Sequence, residues 1–262
     1  MPETVINHVR FHFEESGSGD VLLFLHGLGS CSQDWPLQMP VFCSRFRVIA
    51  PDLHGHGQTD KPRKRVSIAQ MTADVACLLD ELGVKRTHIV GLSMGGCVAQ
   101  QLALDNPARV RSLTLVNTFA RFDPGAPDNA IPLVARMGVL GLLGLPAQAR
   151  FVAARMFPKP EQAQLRALAV ERIASNDLAT YIRLLLTLGA FDVTHRLREI
   201  ACPTLVIAGN RDTTVPLRAK KFLAEHIPSA RFELVADSGH ATPIDQPEMF
   251  NRLVMNFVES VP

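Results

Sequence analysis

The 262-residue sequence predicts an α/β fold with a mostly parallel central sheet. Two patterns predict it: apolar runs of strand length alternate with helical stretches along most of the chain, and the run Val21–Leu25 is apolar throughout. A continuous apolar run of this length is typical of a parallel strand that is buried on both faces. Strands that alternate with helices form sheets with helices on both sides. With 47% apolar residues, the chain can also bury a large core.

The first predicted element is an edge strand over residues 5–13, where polar and apolar residues alternate before a Gly-Ser-Gly turn. An amphipathic helix is predicted over residues 67–82, with Ser67 as its N-cap and Gly83 as its C-terminal glycine. The remaining strands are predicted at residues 21–25, 46–50, 87–91, 112–116, 204–208 and 231–235, and the remaining helices at residues 33–44, 96–106, 216–226 and 246–259.

The alternation stops between residues 119 and 199, where no convincing strand pattern occurs. A loop at residues 123–128 leads into helical runs at residues 132–143, 146–156, 161–174 and 178–188. We interpret this stretch as a helical insertion that covers the sheet. The predicted domain organisation is therefore an α/β core of residues 1–118 and 200–262, with a helical cap of residues 119–199 inserted in it.

Charge and composition exclude several classes of protein. The net charge is only +2, and the densest basic run, residues 61–65, is a short stretch beside a turn rather than a basic face for nucleic acid. The first 15 residues lack the apolar stretch of a signal peptide, and no run of about 18 apolar residues could span a membrane. Five widely spaced cysteines without a C-x-x-C pair indicate reduced thiols. We expect a cytoplasmic protein with no nucleic-acid or membrane partner.

The segment Gly91-Leu92-Ser93-Met94-Gly95 carries the pattern G-x-S-x-G between a predicted strand and a predicted helix. In this context the pattern indicates a nucleophile elbow, a sharp turn that exposes the serine hydroxyl at the end of a strand. The glycines allow such a turn without a Cβ clash. Because a serine hydroxyl is a weak nucleophile by itself, the interpretation requires a base and a carboxylate elsewhere in the chain. Ser93 is the candidate nucleophile.

His240 is the candidate base among the nine histidines. It follows the last predicted strand in a glycine-containing loop, which places it at the same carboxyl edge of the sheet as Ser93. The base needs a carboxylate to fix its tautomer, and Asp212 follows a buried strand in the chain order Ser, Asp, His. The alternative position for the acid, after the strand that follows the elbow, holds the uncharged Asn117. Asp237 is expected to support the loop of His240 instead.

The other histidines are expected to be structural. His26 lies in the loop after Val21–Leu25 and is expected to organise that loop. His54 and His56 lie near acidic residues, but no third metal ligand follows at a recognisable spacing, so a structural turn is the preferred interpretation. The remaining histidines fall in or near predicted strands and helices: His8, His12, His88, His195 and His226. The sequence therefore predicts neither a metal ion nor another cofactor.

Two backbone N–H groups are candidates for stabilising a negatively charged oxygen. One belongs to Met94, the residue after the candidate nucleophile. The other belongs to Leu28 in His26-Gly27-Leu28-Gly29, where glycines let the main chain approach a substrate closely. Loss of one such donor typically raises an activation barrier by a few kcal/mol.

Taken together, these segments resemble the α/β-hydrolase superfamily along nearly the whole chain. The matching segments are residues 26–29, 51–57, 91–96, 209–212 and 238–240. Within the superfamily the chain is similar to small bacterial carboxylesterases, 3-oxoadipate enol-lactonases and non-metal haloperoxidases. It has His54 where the family often has Arg. Haloalkane dehalogenases would have Asp in place of Ser93, and C–C bond hydrolases of the meta-cleavage type favour Asn in place of Leu92.

The resemblance implies the α/β-hydrolase fold and a serine hydrolase that cleaves carboxylic esters through Ser93, His240 and Asp212, with Leu28 and Met94 as the oxyanion hole. The predicted cap is rich in Leu, Val, Met and Phe, which favours a small or medium apolar substrate. Enol-lactone hydrolysis, C–C bond hydrolysis and perhydrolase activity of the same fold stay open. A non-catalytic ligand receptor of this fold is the alternative from another class. The candidates for binding a substrate carboxylate are Arg121, Arg136, Arg150 and Arg155.

Overall fold

The computed structural model describes residues 3–62, 64–122 and 127–261, with side chains described outside residues 127–137. Arg63 of the basic run, the loop residues 123–126 and the side chain of Arg136 therefore lie outside the described residues.

Eight strands occur in the described part of the chain. They are β1 (Glu3–Ile6), β2 (Val9–Ser16), β3 (Val21–Leu25), β4 (Arg47–Pro51), β5 (Thr87–Leu92), β6 (Val110–Val116), β7 (Thr204–Gly209) and β8 (Ala230–Val235). They form one sheet in the order β1-β2-β4-β3-β5-β6-β7-β8. Neighbours from β4 to β8 pair in parallel, whereas β1 and β2 run antiparallel at the edge. The prediction of a mostly parallel sheet is confirmed.

The helices follow the predicted alternation. They are α1 (Met39–Phe42), α2 (Ile68–Glu81), α3 (Met94–Asp105), α4 (Pro127–Met156), α5 (Ala163–Ala174), α6 (Leu178–Gly189), α7 (Leu217–His226), α8 (Thr242–Asp245) and α9 (Pro247–Glu259). Short 3-10 helices lie at Ser32–Asp34, Pro107–Arg109, Pro160–Gln162 and Thr194–Glu199. The helix predicted over residues 33–44 is wrong in extent, because only one 3-10 turn and the four-residue α1 form there.

Helix α2 has the predicted ends. The Ser67 hydroxyl accepts a hydrogen bond from the backbone N–H of Gln70 at 3.0 Å, which satisfies one of the free donors at the start of the helix. Gly83 follows the helix with a φ of 67°, a backbone conformation that glycine adopts without a Cβ clash.

The single edge strand predicted over residues 5–13 is wrong: it is a hairpin of β1 and β2. Asn7 and His8 form its turn with φ values of 50° and 66°, as two-residue hairpin turns of type I′ require. A two-residue turn keeps the polar and apolar alternation in phase across both strands, so the pattern hid the turn. His8 consequently lies in the turn and not in a strand, while His12 lies in β2.

The core has two layers, one on each face of the sheet. All five side chains of β3 are buried, and they alternate between the layers. Leu22 and Phe24 pack in the cluster that includes Phe250 of α9, whereas Leu23 packs in the cluster that includes Leu78 of α2. This arrangement explains why the sequence of β3 is apolar throughout.

Helices α4, α5 and α6, which we call the inserted helices, lie between β6 and β7 in the chain. Gly144 interrupts α4 with a non-helical φ of 73° and ψ of −174°, so two helical segments meet at a kink. This break lies between the predicted runs 132–143 and 146–156. Leu145, Ile173 and Tyr181 belong to a small apolar cluster that joins the three helices. The division into a core and a cap of residues 119–199 stays a prediction.

Two general findings concern the whole described chain. Within residues 3–62, 64–122 and 127–261, no helix combines the length and the apolar character needed to cross a membrane. All five cysteines are free thiols. Burial raises the pKa of Cys31 and Cys97 to about 12, so these two thiols stay protonated at neutral pH.

Candidate active site

The structure brings the predicted site residues to one edge of the sheet. Strands β3, β5, β7 and β8 are parallel and therefore end at the same edge. Ser93 follows β5, Asp212 follows β7 and His240 follows β8. The loop that holds Leu28 follows β3, and Met94 begins α3.

Ser93 occupies a strained turn between β5 and α3. Its φ of 53° and ψ of −112° lie where residues other than glycine are uncommon. The turn is held on both sides: the Ser93 N–H donates to the Val116 carbonyl at 2.9 Å, and the Ser93 carbonyl accepts from the Thr118 hydroxyl at 2.7 Å. Backbone strain of this kind persists only where surrounding contacts enforce it, and it is concentrated at functional sites.

The two glycines of the G-x-S-x-G pattern are required by close backbone contacts. A Cβ atom on Gly91 would lie 2.5 Å from the carbonyl oxygen of Gly95, and one on Gly95 would lie 2.1 Å from the carbonyl oxygen of Leu25. Any larger residue would therefore push α3 away from the ends of β3 and β5. The G-x-S-x-G pattern thus has a steric cause, since only glycine leaves room for the backbone at positions 91 and 95.

Asp212 and His240 form a buried pair. The Nδ1 atom of His240 lies 3.0 Å from Oδ2 of Asp212, and their side chains are 7% and 0% exposed. Since a carboxylate can only accept, Nδ1–H donates and Nε2 is left as the acceptor nitrogen. His240 and Ser93 line the same cavity. No hydrogen bond joins them among the described residues, and such bonds often tighten only when substrate is bound.

The carboxylate of Asp212 accepts four hydrogen bonds. Its Oδ1 accepts from the backbone N–H groups of Thr214 at 2.8 Å and Val215 at 3.2 Å. Its Oδ2 accepts from His240 and also from the ammonium of Lys220 at 2.8 Å. Burial by itself raises the pKa of Asp212, but His240 and Lys220 together lower that pKa to about 2. Asp212 is therefore ionised at neutral pH.

Asn117 follows β6, at the alternative position for the carboxylate of the triad, and it connects two parts of the site. Its side-chain N–H₂ donates to the His240 carbonyl and to the Thr242 hydroxyl, both at 2.8 Å. Its side-chain oxygen accepts from the Gly209 N–H at 2.8 Å and from Lys220 at 3.2 Å. Asn117 thus ties the loop of His240 to the end of β7.

The segments with the two predicted N–H donors adjoin Ser93. A Cβ atom on Gly27 would lie 3.4 Å from Cβ of Ser93, so the loop after β3 packs directly against the turn. Leu28 lines the same cavity as Ser93. Met94 is the first residue of α3, and the first N–H groups of a helix have no partner within the helix.

Two buried histidines hold the loop of Leu28 in place. His56 accepts the Gly29 N–H at Nε2 over 2.9 Å and donates from Nδ1 to the His54 carbonyl over 3.0 Å. His26 donates from Nδ1 to the Gly27 carbonyl at 2.8 Å and accepts at Nε2 a backbone N–H from the segment after β4 at 2.9 Å. Each ring donates once and accepts once, as only a neutral imidazole can.

The electrostatics agree with neutral rings in this pair. Burial, followed by the neighbouring His26, lowers the pKa of His56 to about 3. Burial likewise lowers the pKa of His26. Sequence reasoning assigned His26 to this loop, and the segment of His54 and His56 also proves to support it rather than only forming a turn.

The other structural histidines make contacts of their own. The buried pairs are His12–Asp52 at 2.9 Å, His54–Asp74 at 3.2 Å and His88–Ser112 at 2.7 Å. In the described residues, no three His, Cys, Asp or Glu side chains are grouped in a way that could hold a metal ion.

A cavity of about 1160 Å³ opens beside Ser93 and His240. Its wall is formed by the sheet edge on one side and by the inserted helices on the other, and most of the side chains are apolar. They include Phe119, Phe122, Phe151, Leu165, Ile173 and Leu185. Ligand sites in proteins are typically concave, mostly apolar and provided with a few polar groups, and this cavity has that character.

The four arginines predicted as carboxylate ligands have different positions. Arg155 is half-buried and lines the cavity. Arg121 and Arg150 are exposed, and Arg121 faces Asp192 at 3.9 Å. The side chain of Arg136 lies outside the described residues. Among the side chains of this set that the structure describes, Arg155 is the one that lines the cavity of Ser93.

Sequence reasoning missed several charged residues near the site, among them Arg172 and Lys220. Arg172 of α5 lines the cavity and donates to Asp34 at 3.0 Å. Lys220 of α7 is fully buried against Asp212. A signal for Lys220 was available, because Lys220, Leu223 and Ile227 follow the spacing of the buried face of a helix. A lysine at such a position requires a buried acceptor.

Comparison with known proteins identifies the fold family. The model of the alpha/beta hydrolase fold family matches residues 20–247. A putative carbamate hydrolase named RutD from Caulobacter sp. (strain K31) is 33% identical over 240 residues, which cover 88% of each chain. The 3-oxoadipate enol-lactonase 1 of Acinetobacter baylyi is 29% identical over 240 residues, covering 92% of this chain and 89% of the enol-lactonase.

A solved structure agrees with these relatives. The enol-lactonase from Burkholderia xenovorans LB400 superposes with a TM-score of 0.90 at 27% identity, covering 98% of this chain and all of that chain. The family match covers most of the sequence, and the relatives are hydrolases. The chain therefore belongs to the α/β-hydrolase family and is a hydrolase enzyme of that fold.

Proposed function

We propose that the protein is a serine hydrolase that cleaves carboxylic ester bonds of small or medium apolar substrates. The observation that carries this proposal is the arrangement at the cavity: Ser93 on its strained turn and His240, held by the ionised Asp212, face the same apolar space. A hydroxyl, an imidazole with its acceptor nitrogen free of the carboxylate, and an ionised carboxylate are the groups that acyl transfer requires.

The reaction proceeds in two steps. His240 takes the proton of the Ser93 hydroxyl at Nε2 while the Ser93 oxygen attacks the ester carbonyl carbon. The N–H groups of Leu28 and Met94 stabilise the resulting oxyanion. His240 then gives its proton to the leaving alkoxide, which departs as an alcohol and leaves an acyl-enzyme. A water molecule repeats the sequence, releases the carboxylic acid and restores the Ser93 hydroxyl, with no cofactor involved.

The lining of the cavity supports an apolar substrate. Burial of a CH₂ group against such a wall contributes roughly 0.8 kcal/mol to binding. Lengthening the acyl chain of an ester should therefore raise kcat/KM until the chain fills the space between the sheet edge and the inserted helices. A panel of p-nitrophenyl esters from acetate to decanoate measures this dependence.

The assignment of the nucleophile is tested by Ser93→Ala. We expect turnover of p-nitrophenyl butyrate to fall at least 10⁴-fold, roughly the loss seen when the members of such a triad are removed. The matched control is Ser44→Ala, since Ser44 is an exposed serine away from the cavity. Circular dichroism and the melting temperature establish that both variants are folded. Undiminished turnover in folded Ser93→Ala would refute the proposal.

A fluorophosphonate probe separates the enzyme from a non-catalytic receptor of the same fold. An activated serine forms a covalent adduct with the probe, whereas a serine without a base reacts slowly. We expect stoichiometric labelling that maps to Ser93 by peptide mass spectrometry. Absence of the adduct, together with saturable binding of an ester that is never cleaved, would favour the receptor.

A second candidate function is hydrolysis of an anionic enol-lactone. Arg155 favours it, because its half-buried side chain lines the cavity of Ser93 and offers a positive charge for a substrate carboxylate. The similarity to two enol-lactonases supports the same candidate. The similarity to a carbamate hydrolase adds a carbamate to the substrates worth comparing.

Arg155→Met discriminates between the ester and the lactone. If the substrate is an anionic lactone, the variant should raise KM for that lactone at least tenfold while leaving neutral esters unaffected, because a charge-assisted contact to the carboxylate is lost. The exposed Arg150 provides the matched control as Arg150→Met. Equal KM values for the lactone in both variants would contradict a carboxylate-binding role of Arg155.

A further inference from the structure

A fully buried ammonium group lies behind the candidate site. Lys220 of α7 is 0% exposed, and its Nζ lies 2.8 Å from Oδ2 of Asp212 and 3.2 Å from the side-chain oxygen of Asn117. Lysine is almost never fully buried unless it is paired. Removing a charge from water carries a large penalty, which only well-placed partners offset.

Packing alone does not explain the charge. Lys220 and Leu223 are the buried residues of α7, so the helix needs a buried side chain at position 220 but has no structural need for an amine. A Met or Leu at this position would fill the space without the desolvation penalty. Replacing buried ion pairs by apolar residues is often neutral or stabilising in proteins. The ammonium is therefore better explained by its effect on Asp212.

Lys220 and His240 compete for one oxygen atom. Both donate to Oδ2 of Asp212, whereas Oδ1 is occupied by two backbone N–H groups. When His240 is protonated, the single negative charge of Asp212 faces two positive charges. The attraction between Asp212 and protonated His240 is weaker than it would be without Lys220, because two like charges near a shared partner repel each other.

Among the described residues, Lys220 is the charged side chain that contacts the Asp212 carboxylate together with His240. His240 and Lys220 are the charged partners of Asp212 that lower its pKa. Asp237, in the loop of His240, pairs with Lys159 at 2.6 Å and Arg211 at 2.9 Å. Asp245 of α8 accepts from the Ser238 hydroxyl and the Gly239 N–H. The charged residues that line the same cavity as His240 are unchanged in the variants used as a test: Asp34, Arg65, Arg155, Glu171 and Arg172.

We propose that Lys220 is a positioning residue that holds the Asp212 carboxylate in place and weakens its pull on the His240 proton, so that the enzyme keeps an unprotonated base at lower pH. This inference rests on the proposed function of Asp212 and His240. It adds to Ser93, His240 and Asp212 a residue that acts through Asp212 and does not touch the substrate. Burial lowers the pKa of Lys220 and Asp212 opposes that effect, which keeps the ammonium dependent on its ion pair.

The test is the pH profile of ester hydrolysis in Lys220→Met. Met has a similar length and no charge, and the exposed neighbour gives the matched control Lys221→Met. The acid limb of kcat/KM reports protonation of the base in the free enzyme. In Lys220→Met we expect the midpoint of that limb to move to higher pH by on the order of one pH unit, a tenfold change in proton affinity. Lys221→Met should follow the wild type.

A merely structural lysine gives a different result. If Lys220 only anchors α7, Lys220→Met lowers the melting temperature or kcat but leaves the acid limb in place, and the inference is overturned. A shift of the limb to lower pH overturns it as well. Failure of the proposed function can be told apart from failure of this inference. The proposed function fails if Ser93→Ala retains turnover, and that test involves no change at position 220.

A measurement on the wild type covers the case in which Lys220→Met does not fold. Among the lysines whose side chains the structure describes, Lys220 is the one that is fully buried, so its ammonium protons should exchange slowly with water. In protein labelled with ¹⁵N-lysine, we expect one protected NH₃⁺ signal near neutral pH whose shift changes at the midpoint of the acid limb. A neutral amine signal, or a protected signal that ignores this midpoint, would contradict the inference.

Discussion

Two clusters of buried titratable groups lie at the candidate site, and they tolerate burial in opposite ways. The acid cluster (Asp212, His240 and Lys220) keeps the opposite charges of Asp212 and Lys220 and pairs them at 2.8 Å, with His240 3.0 Å from the same carboxylate. The histidine cluster (His26 and His56) stays neutral and uses its rings as fixed donors and acceptors for the loop of Leu28. The difference follows from the proposed role of each cluster. Residues that support proton transfer must stabilise the charge that His240 gains. Residues that hold the loop of Leu28 must keep the same protonation state, because each ring serves as both a donor and an acceptor.

The largest expected effect is in the acid cluster, for Asp212→Asn. An amide cannot stabilise a protonated His240, so kcat/KM for an ester should fall roughly 10⁴-fold, as in other serine triads. The same change leaves the Lys220 ammonium buried without a counter-charge, which should lower the free energy of unfolding by about 3–5 kcal/mol. Steady-state kinetics and urea unfolding measure the two effects.

A double variant separates activity from stability in this cluster. Asp212→Asn combined with Lys220→Met removes both charges, so most of the lost stability should return while activity stays low. If the double variant is as unstable as Asp212→Asn alone, the unpaired ammonium is not the cause of the instability. That result would contradict the claim that the acid cluster, unlike the histidine cluster, is stable only when its charges are paired.

A smaller effect is expected in the histidine cluster for His56→Phe. Phenylalanine keeps an aromatic ring but offers no acceptor to the Gly29 N–H and no donor to the His54 carbonyl. The loop of Leu28 should become less well placed for an oxyanion, so kcat should fall about tenfold, a fraction of the loss expected when an oxyanion donor is removed outright. KM for a neutral ester should change little. A rise in KM with unchanged kcat would place the role of the loop in substrate binding instead.

The positions of Ser93, Asp212 and His240 could be predicted from the sequence, because each follows from a local pattern. The turn of Ser93 carries its own local signal, because the glycines at 91 and 95 are needed for contacts with their own neighbourhood in the chain and with β3. The loop positions of Asp212 and His240 follow from the strand that precedes each of them. The parallel sheet then places all three at one edge, so their shared position follows from the strand assignment.

The roles of Lys220 and Asn117 could not be predicted in the same way. Asn117 depends on contacts with residues about 100 positions away in the chain, Lys220 and the loop of His240. Lys220 lies only eight positions from Asp212, but the two meet through the turn that joins β7 to α7. No local pattern encodes such contacts. The hairpin at Asn7 and His8 was missed for the opposite reason, since its turn preserves the alternation that a single strand would show.

The smallest effect is a difference between the clusters in the pH dependence of stability. In the unfolded chain His56 takes up a proton near pH 6.5, whereas in the folded chain its pKa is about 3. Between these values the unfolded state binds more protons, so the free energy of unfolding should fall as the pH falls, by at most about 1.4 kcal/mol per pH unit for this residue. The pKa of Asp212 is lowered in the same direction, from 3.8 to about 2, so stability that depends on it is lost only below about pH 4.

Because His56 and Asp212 affect the free energy of unfolding in different pH ranges, their contributions can be measured separately. His56→Gln keeps an acceptor and a donor at position 56 but cannot take up a proton, so the slope of stability against pH between about 6 and 4 should become shallower by close to one proton. The control His8→Gln removes an exposed histidine in the β1–β2 turn and should leave the slope unchanged. Urea unfolding at several pH values measures the slope. An unchanged slope in His56→Gln would mean that His56 is already protonated in the folded protein, and an imidazolium could not accept the Gly29 N–H in the loop of Leu28.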